Sequence, residues 1–245
     1  MNKTLLLLTG WGSTHRVWDL IIPVLPASYH IINVIPPWLQ NRQMTASLAD
    51  LDDYVDALAA TITAPVDVLS WSLGGLIALR LSQRHSASIN KLILVSSTPK
   101  FVASDNHLAG IDYQWFSEFK HQFQQQPEQT LKRFQAMLVA GDQNGREALR
   151  QLRADVLTAE FDWAECNLGL ALLERDLAQA YHDLARPCCH IHGRNDRVVN
   201  AQSVIAWTRQ TANECILLDA TGHVPQLSNP ELLANHVNTF LRSAG

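Results

Sequence analysis

"VDVLSWSLGGLIALRLSQR", residues 66–84, runs from an apolar stretch through a serine and two glycines into a stretch of helical spacing. The first part has no apolar/polar alternation, as expected of a strand covered on both faces. Leu73, Leu76, Ile77 and Leu81 then recur at steps of one, three and four, as on one side of a helix. A turn this tight needs small residues, which Ser70, Gly74 and Gly75 supply, and it lifts the Ser72 hydroxyl off the sheet. The first N–H of the helix, that of Leu73, is left free to meet a developing negative charge. A small residue filling a strand–helix turn would look the same, so the reading depends on partners elsewhere in the chain.

A serine hydroxyl attacks a carbonyl at neutral pH only if an imidazole takes its proton, and a carboxylate must hold that imidazole in the right tautomer. His223, in "DATGHVPQLSNPEL", falls in a loop between the last strand-like run and the last helix, where it can reach the sheet's C-terminal edge. Asp196, in "HGRNDRVVN", follows another strand at that edge and is the expected carboxylate. Asp219 is the second candidate, but it precedes His223 by only four residues. His190 and His192 alternate on a strand and read as core or strand-end residues, since a metal site there lacks further ligands. His15, His85 and His236 read as helix-surface positions. The order Ser72, Asp196, His223 is that of a nucleophile elbow with its two partners. A second donor for the negative charge is expected from "TGWG", where Gly10 allows close approach of the backbone and Trp11 offers its N–H.

Working outward, "TLLLL", "YHIINVI", "KLILVSS", "CCHIHG" and "ECILLD" repeat the continuous apolar pattern, with helical patterns between them. Leu48, Leu51, Val55, Leu58 and Ile62 form one helical stripe, and Asn229-Pro230-Glu231 opens the last helix with an N-cap and a proline at its first position. Strand then helix, repeated, is an α/β pattern with a mostly parallel sheet. The alternation stops over residues 102–185, where "WFSEFKHQFQQQPEQTLKRFQAMLVAG", "REALRQLRADVL" and "CNLGLALLERDLAQAYHDL" read as helices, the first broken at Pro127. The expected organisation is therefore a core of residues 1–101 and 186–245 with a helical lid, 102–185, inserted into it.

The 245 residues carry a formal net charge of −4, with 47% hydrophobic and 17% charged residues. These proportions exclude a disordered or fibrous chain and give no electrostatic reason to bind nucleic acid or an anionic membrane. The leucine run near the start is too short for a membrane span and is followed by no small-residue cleavage site, so residues 4–8 are read as a buried strand. Cys166, Cys188, Cys189 and Cys215 lack metal-site spacing and suit buried thiols in a reducing cytosol.

These residues resemble the α/β-hydrolases over nearly the whole chain. Within them, the similarity is to the biotin-synthesis carboxylesterases that cleave the methyl ester of pimeloyl-acyl carrier protein. It rests on "GWGSTHRVW", "WSLGGL", "VSSTPKF" and the lid segments "LKRFQAML" and "REALRQLRADVL". Thr9 stands where the family usually has histidine, Ser70 where the elbow has its first glycine, and "NVIPPWLQNRQ" where relatives carry an aspartate and a glycine-rich turn. The resemblance implies Ser72, Asp196 and His223 as catalytic residues, with Trp11 and Leu73 as the oxyanion hole. It implies Trp11, Phe134, Gln135, Ala136, Met137, Leu138 and His223 as substrate contacts, and Arg133, Arg146, Arg150 and Arg153 as contacts to the acidic carrier protein. Independently, Arg146, Arg150 and Arg153 share one stripe of a helix, which is otherwise read as a solvated face. The expected protein is a cytoplasmic, monomeric serine carboxylesterase that needs no cofactor or metal. A small-ester esterase, thioesterase or carbon–carbon bond hydrolase would keep the same three residues. A non-catalytic binding protein would be expected to break the set.

Overall fold

A computed structural model of the chain describes residues 3–42, 44–105, 107, 109–211 and 213–243. The apolar runs form six strands: β1 (Lys3–Leu8), β2 (Tyr29–Asn33), β3 (Val66–Trp71), β4 (Ile89–Val95), β5 (Cys188–Gly193) and β6 (Glu214–Leu218). They pair in the order β2-β1-β3-β4-β5-β6, and every neighbouring pair is parallel. All six residues of β3 and of β5 are buried, as the unbroken apolar runs require. The outermost positions of the expected core, residues 1, 2, 244 and 245, lie outside the described residues.

The helices are α1 (Leu51–Ala60), α2 (Leu73–Arg84), α3 (Tyr113–Gln125), α4 (Pro127–Leu138), α5 (Gly145–Leu157), α6 (Trp163–Leu172), α7 (Ala178–His182), α8 (Ala201–Thr208), α9 (Pro225–Ser228) and α10 (Pro230–Arg242). Five of them, α3 to α7, lie in sequence between the adjacent strands β4 and β5. None is long and apolar enough to cross a membrane among the described residues. All four cysteines are unpaired, and Cys166, Cys188 and Cys189 are buried.

Two local expectations are corrected. The run "CNLGLALLERDLAQAYHDL" is not one helix: α6 ends at Leu172, and Asp176 lies in the break before α7. Its carboxylate accepts the Ala178 N–H at 3.0 Å to start α7, and its other oxygen meets Lys100 Nζ at 2.7 Å just beyond β4. Asn229 does not cap α10 with its side chain; the amide instead donates to Thr221 Oγ1 at 3.0 Å, tying the helix to the loop that carries His223.

Candidate active site

Ser72 sits between β3 and α2 with φ 54° and ψ −120°, a left-handed conformation that costs a non-glycine residue roughly 1–3 kcal/mol. Neighbours on three sides hold it there. Its N–H donates to Val95 O at 3.0 Å, and its carbonyl accepts from Gly75 N and Ser97 Oγ, both at 2.9 Å. A Cβ at Gly10 would lie 2.9 Å from Ser72 Cβ and 2.7 Å from the Trp71 ring, so only glycine lets the loop after β1 come this close. Ser70 accommodates the absence of the usual glycine by donating its hydroxyl to Ile93 O at 3.1 Å, while Thr9 turns its hydroxyl to Thr14 O at 3.4 Å.

The structure brings three distant residues into one line. His223 Nε2 is 3.0 Å from Ser72 Oγ, and His223 Nδ1 is 2.7 Å from Asp196 Oδ2. With the proton on Nδ1, Nε2 is free to accept from the serine. The His223 and Asp196 side chains are wholly buried. Burial by itself would raise the Asp196 carboxyl, but the charge and hydrogen bond of His223, with His192 and the Val199 N–H, hold it below its ordinary value. Such an imidazole can take the serine proton, and such a carboxylate can stabilise the imidazolium that results. Asp219 lies elsewhere, 83% exposed and paired with Arg194 at 2.6 Å.

The loop of His223 is pinned on several sides. Its carbonyl accepts from Trp71 Nε1 at 2.8 Å, and its N–H donates to Leu138 O, the last residue of α4, at 3.0 Å. The turn after α4 continues this join. Asp142 Oδ2 accepts from Gly222 N at 2.9 Å, Gln143 N donates to Ala220 O at 2.9 Å, and Asn195 Nδ2, beside Asp196, donates to Gly141 O at 2.9 Å.

Leu73 N, at the first position of α2, and Trp11 N donate no hydrogen bond among the described residues. Trp11 is fixed by its indole, which donates to Cys166 O at 2.7 Å, and by Phe119, Phe123 and Phe134, whose rings meet it edge-on at 5.8, 5.1 and 5.1 Å. Ser72 also lines a small cavity of about 10 Å³, together with Ser96, Ser97, Thr98, Phe101 and Leu173.

The other residues singled out from sequence divide by helix geometry. Phe134 and Leu138 are buried on one side of α4, Gln135 is buried and donates to Leu152 O at 3.3 Å, Met137 is half-buried, and Ala136 is exposed. Five consecutive helical residues point in every direction, so they cannot all face one pocket. Arg133, Arg146, Arg150 and Arg153 are all exposed, and among the described residues only Arg150 of the four makes an ion pair, with Glu147. His192, read as a core residue, reaches the Asp196 carboxylate at 3.2 Å. The signal was present in its spacing, because a strand residue four positions before a loop carboxylate can fold back onto it.

Hydrolases with this sheet and this serine turn form a recognisable class, and the chain belongs to it: residues 5–236 match the alpha/beta hydrolase family. Among curated relatives, the pimeloyl-[acyl-carrier protein] methyl ester esterase of Aromatoleum aromaticum is 32% identical, over 99% of this chain and 100% of its own. The biotin biosynthesis bifunctional protein BioHC of Teredinibacter turnerae is 30% identical over 98% of this chain, which spans only 45% of that longer protein. Among solved structures, a bromoperoxidase from Bacillus anthracis shares the fold, with a TM-score of 0.87 at 17% identity over 99% of this chain and 93% of that one.

Proposed function

We propose that this chain is a serine carboxylesterase that hydrolyses the methyl ester of pimeloyl-acyl carrier protein in biotin biosynthesis. The observation that carries the chemistry is the 3.0 Å approach of His223 Nε2 to Ser72 Oγ, with Asp196 at 2.7 Å behind the ring. Ser72 Oγ attacks the ester carbonyl as His223 takes its proton, and the oxyanion is held by the N–H groups of Trp11 and Leu73. Methanol leaves with the proton from His223. Water then attacks the acyl-enzyme with His223 as base, releasing the free acid and returning the proton to Ser72.

The substrate rests on the relatives named above, which match this chain nearly end to end. Helices α3 to α7 serve as the lid, with Phe134 and Leu138 toward the acyl chain. The exposed Arg133, Arg146, Arg150 and Arg153 meet the acidic carrier protein at the rim. The enzyme works as a cytoplasmic monomer without a cofactor.

The test compares kcat/KM on methyl pimeloyl-acyl carrier protein and on a free short-chain methyl ester, using wild type, Ser72→Ala and Arg146→Glu/Arg150→Glu. The reading requires a strong preference for the carrier-linked ester, an inactive Ser72→Ala, and a loss in the arginine variant confined to the carrier-linked ester. Equal rates on both esters, with no effect of the arginines, would leave an esterase of another substrate.

A further inference from the structure

The Asp196 carboxylate accepts three hydrogen bonds and has a fourth N–H-bearing group, the His192 ring, beside it. Oδ1 accepts from Val198 N at 2.8 Å and Val199 N at 2.9 Å, and Oδ2 lies 2.7 Å from His223 Nδ1 and 3.2 Å from His192 Nε2. His192 Nε2 also lies 2.8 Å from Val199 O. A carbonyl can only accept, so the proton is on Nε2 and is donated to Val199 O, with the carboxylate alongside. The ring is wholly buried, and burial keeps it neutral against the pull of Asp196. The titratable groups around it are His190, two residues back on β5, Asp196 on the loop after that strand, and His223 on the loop after β6.

Taking Ser72, His223 and Asp196 as the reacting line, we propose that His192 is a positioning residue, whose Nε2–H holds the Val199 carbonyl and so keeps the Val198 and Val199 N–H groups on Asp196, setting the carboxylate against His223. The strand alone does not fix Asp196, which stands three residues beyond the end of β5. Two backbone N–H groups orient one oxygen, and His192 is the only side chain besides His223 to reach the other among the described residues.

The experiment measures kcat and KM on a free methyl ester for wild type, His192→Gln, His192→Phe and His192→Asn, with folding checked by thermal denaturation. Gln places an amide N–H near the position of Nε2; Phe keeps the volume without a donor, and Asn falls short of it. His192→Phe is expected to lose about tenfold in kcat with KM within about twofold, as a misaligned carboxylate loosens the imidazole. His192→Gln should stay close to wild type, and His192→Asn should follow Phe, which keeps the comparison available if Phe does not fold. The proposal is overturned if Gln behaves like Phe or Asn, or if the loss falls on KM. Ser72→Ala in the same series separates the two readings. An active Ser72→Ala overturns the reacting line and this proposal with it, whereas an inactive one alongside matching Gln and Phe variants overturns this proposal alone.

Discussion

Replacing Asp196 by Asn tests the line of three residues most sharply, because it keeps the side chain's shape while removing its charge and changing its hydrogen-bond polarity. Every hydrogen-bond partner of the Asp196 carboxylate is a donor. Asn has one accepting oxygen, and two backbone N–H groups, which cannot rotate away, claim it. The new NH2 then faces His223 Nδ1 and His192 Nε2. His223 can answer only by moving its proton to Nε2, which points that N–H at Ser72 Oγ and abolishes its role as base. A wrong tautomer of this kind costs about 10⁴-fold in kcat, equivalent to about 5 kcal/mol in the barrier. His192 keeps its bond to Val199 O, so the accompanying loss of stability should be about 1–3 kcal/mol. The control is Asp219→Asn, where an exposed ion pair worth at most about 1 kcal/mol is lost and kcat should stay within about twofold. Steady-state kinetics on a chromogenic ester, with thermal denaturation of each variant, decide the matter. A larger fall in kcat for Asp219→Asn than for Asp196→Asn would refute the assignment.

Three further outcomes follow from the packing. Gly10→Ala places a methyl 2.7 Å from the Trp71 ring and 2.9 Å from Ser72 Cβ, so it should cost about 100-fold in kcat by displacing the serine or the oxyanion loop, measurable on any ester substrate. Trp71→Phe leaves the buried His223 carbonyl without its 2.8 Å donor; the expected loss is about 1–3 kcal/mol by chemical denaturation, together with a lower kcat as the histidine loop slackens. Burial, with His192 beside it, pushes His190 down to about 3 from an ordinary 6.5, so the unfolded chain binds the extra proton. The stability from keeping that ring neutral is complete above about pH 6.5 and is lost as pH falls toward 3. A scan of melting temperature between pH 7 and 4 should fall less steeply for His190→Leu than for wild type.

Strands were legible because a doubly covered strand must be apolar on both faces, and the runs at residues 5–8, 66–71 and 89–95 leave no helical reading. Ser72 and its two partners were legible because each stands just past a strand's C-terminal end, the edge at which loops from separate strands converge. Helix interruptions and caps were less so: in the break between α6 and α7 Asp176 meets a lysine 76 residues away, and Asn229, at the N-cap of α10, turns its side chain to Thr221, both contacts made with tertiary neighbours. His192 was passed over because alternation on a buried strand looks the same whether the ring meets leucines or a carboxylate. The residues matched to substrate contacts misled in another way, since a string such as residues 134–138 reads as one contact surface until the helix turns Ala136 outward.

The turn after α4 carries a consequence for protein engineering. Residues 138–143 belong to the cap by chain position, yet they hydrogen-bond to Asn195, Ala220, Gly222 and His223, on the two loops that bear the histidine and the carboxylate. A chimera that imports all of 102–185 from a relative would therefore replace part of the scaffold of the histidine as well as the surface facing the substrate. Exchanging 102–137 and 144–185 while retaining 138–143 should transfer specificity with the catalytic loops left in register.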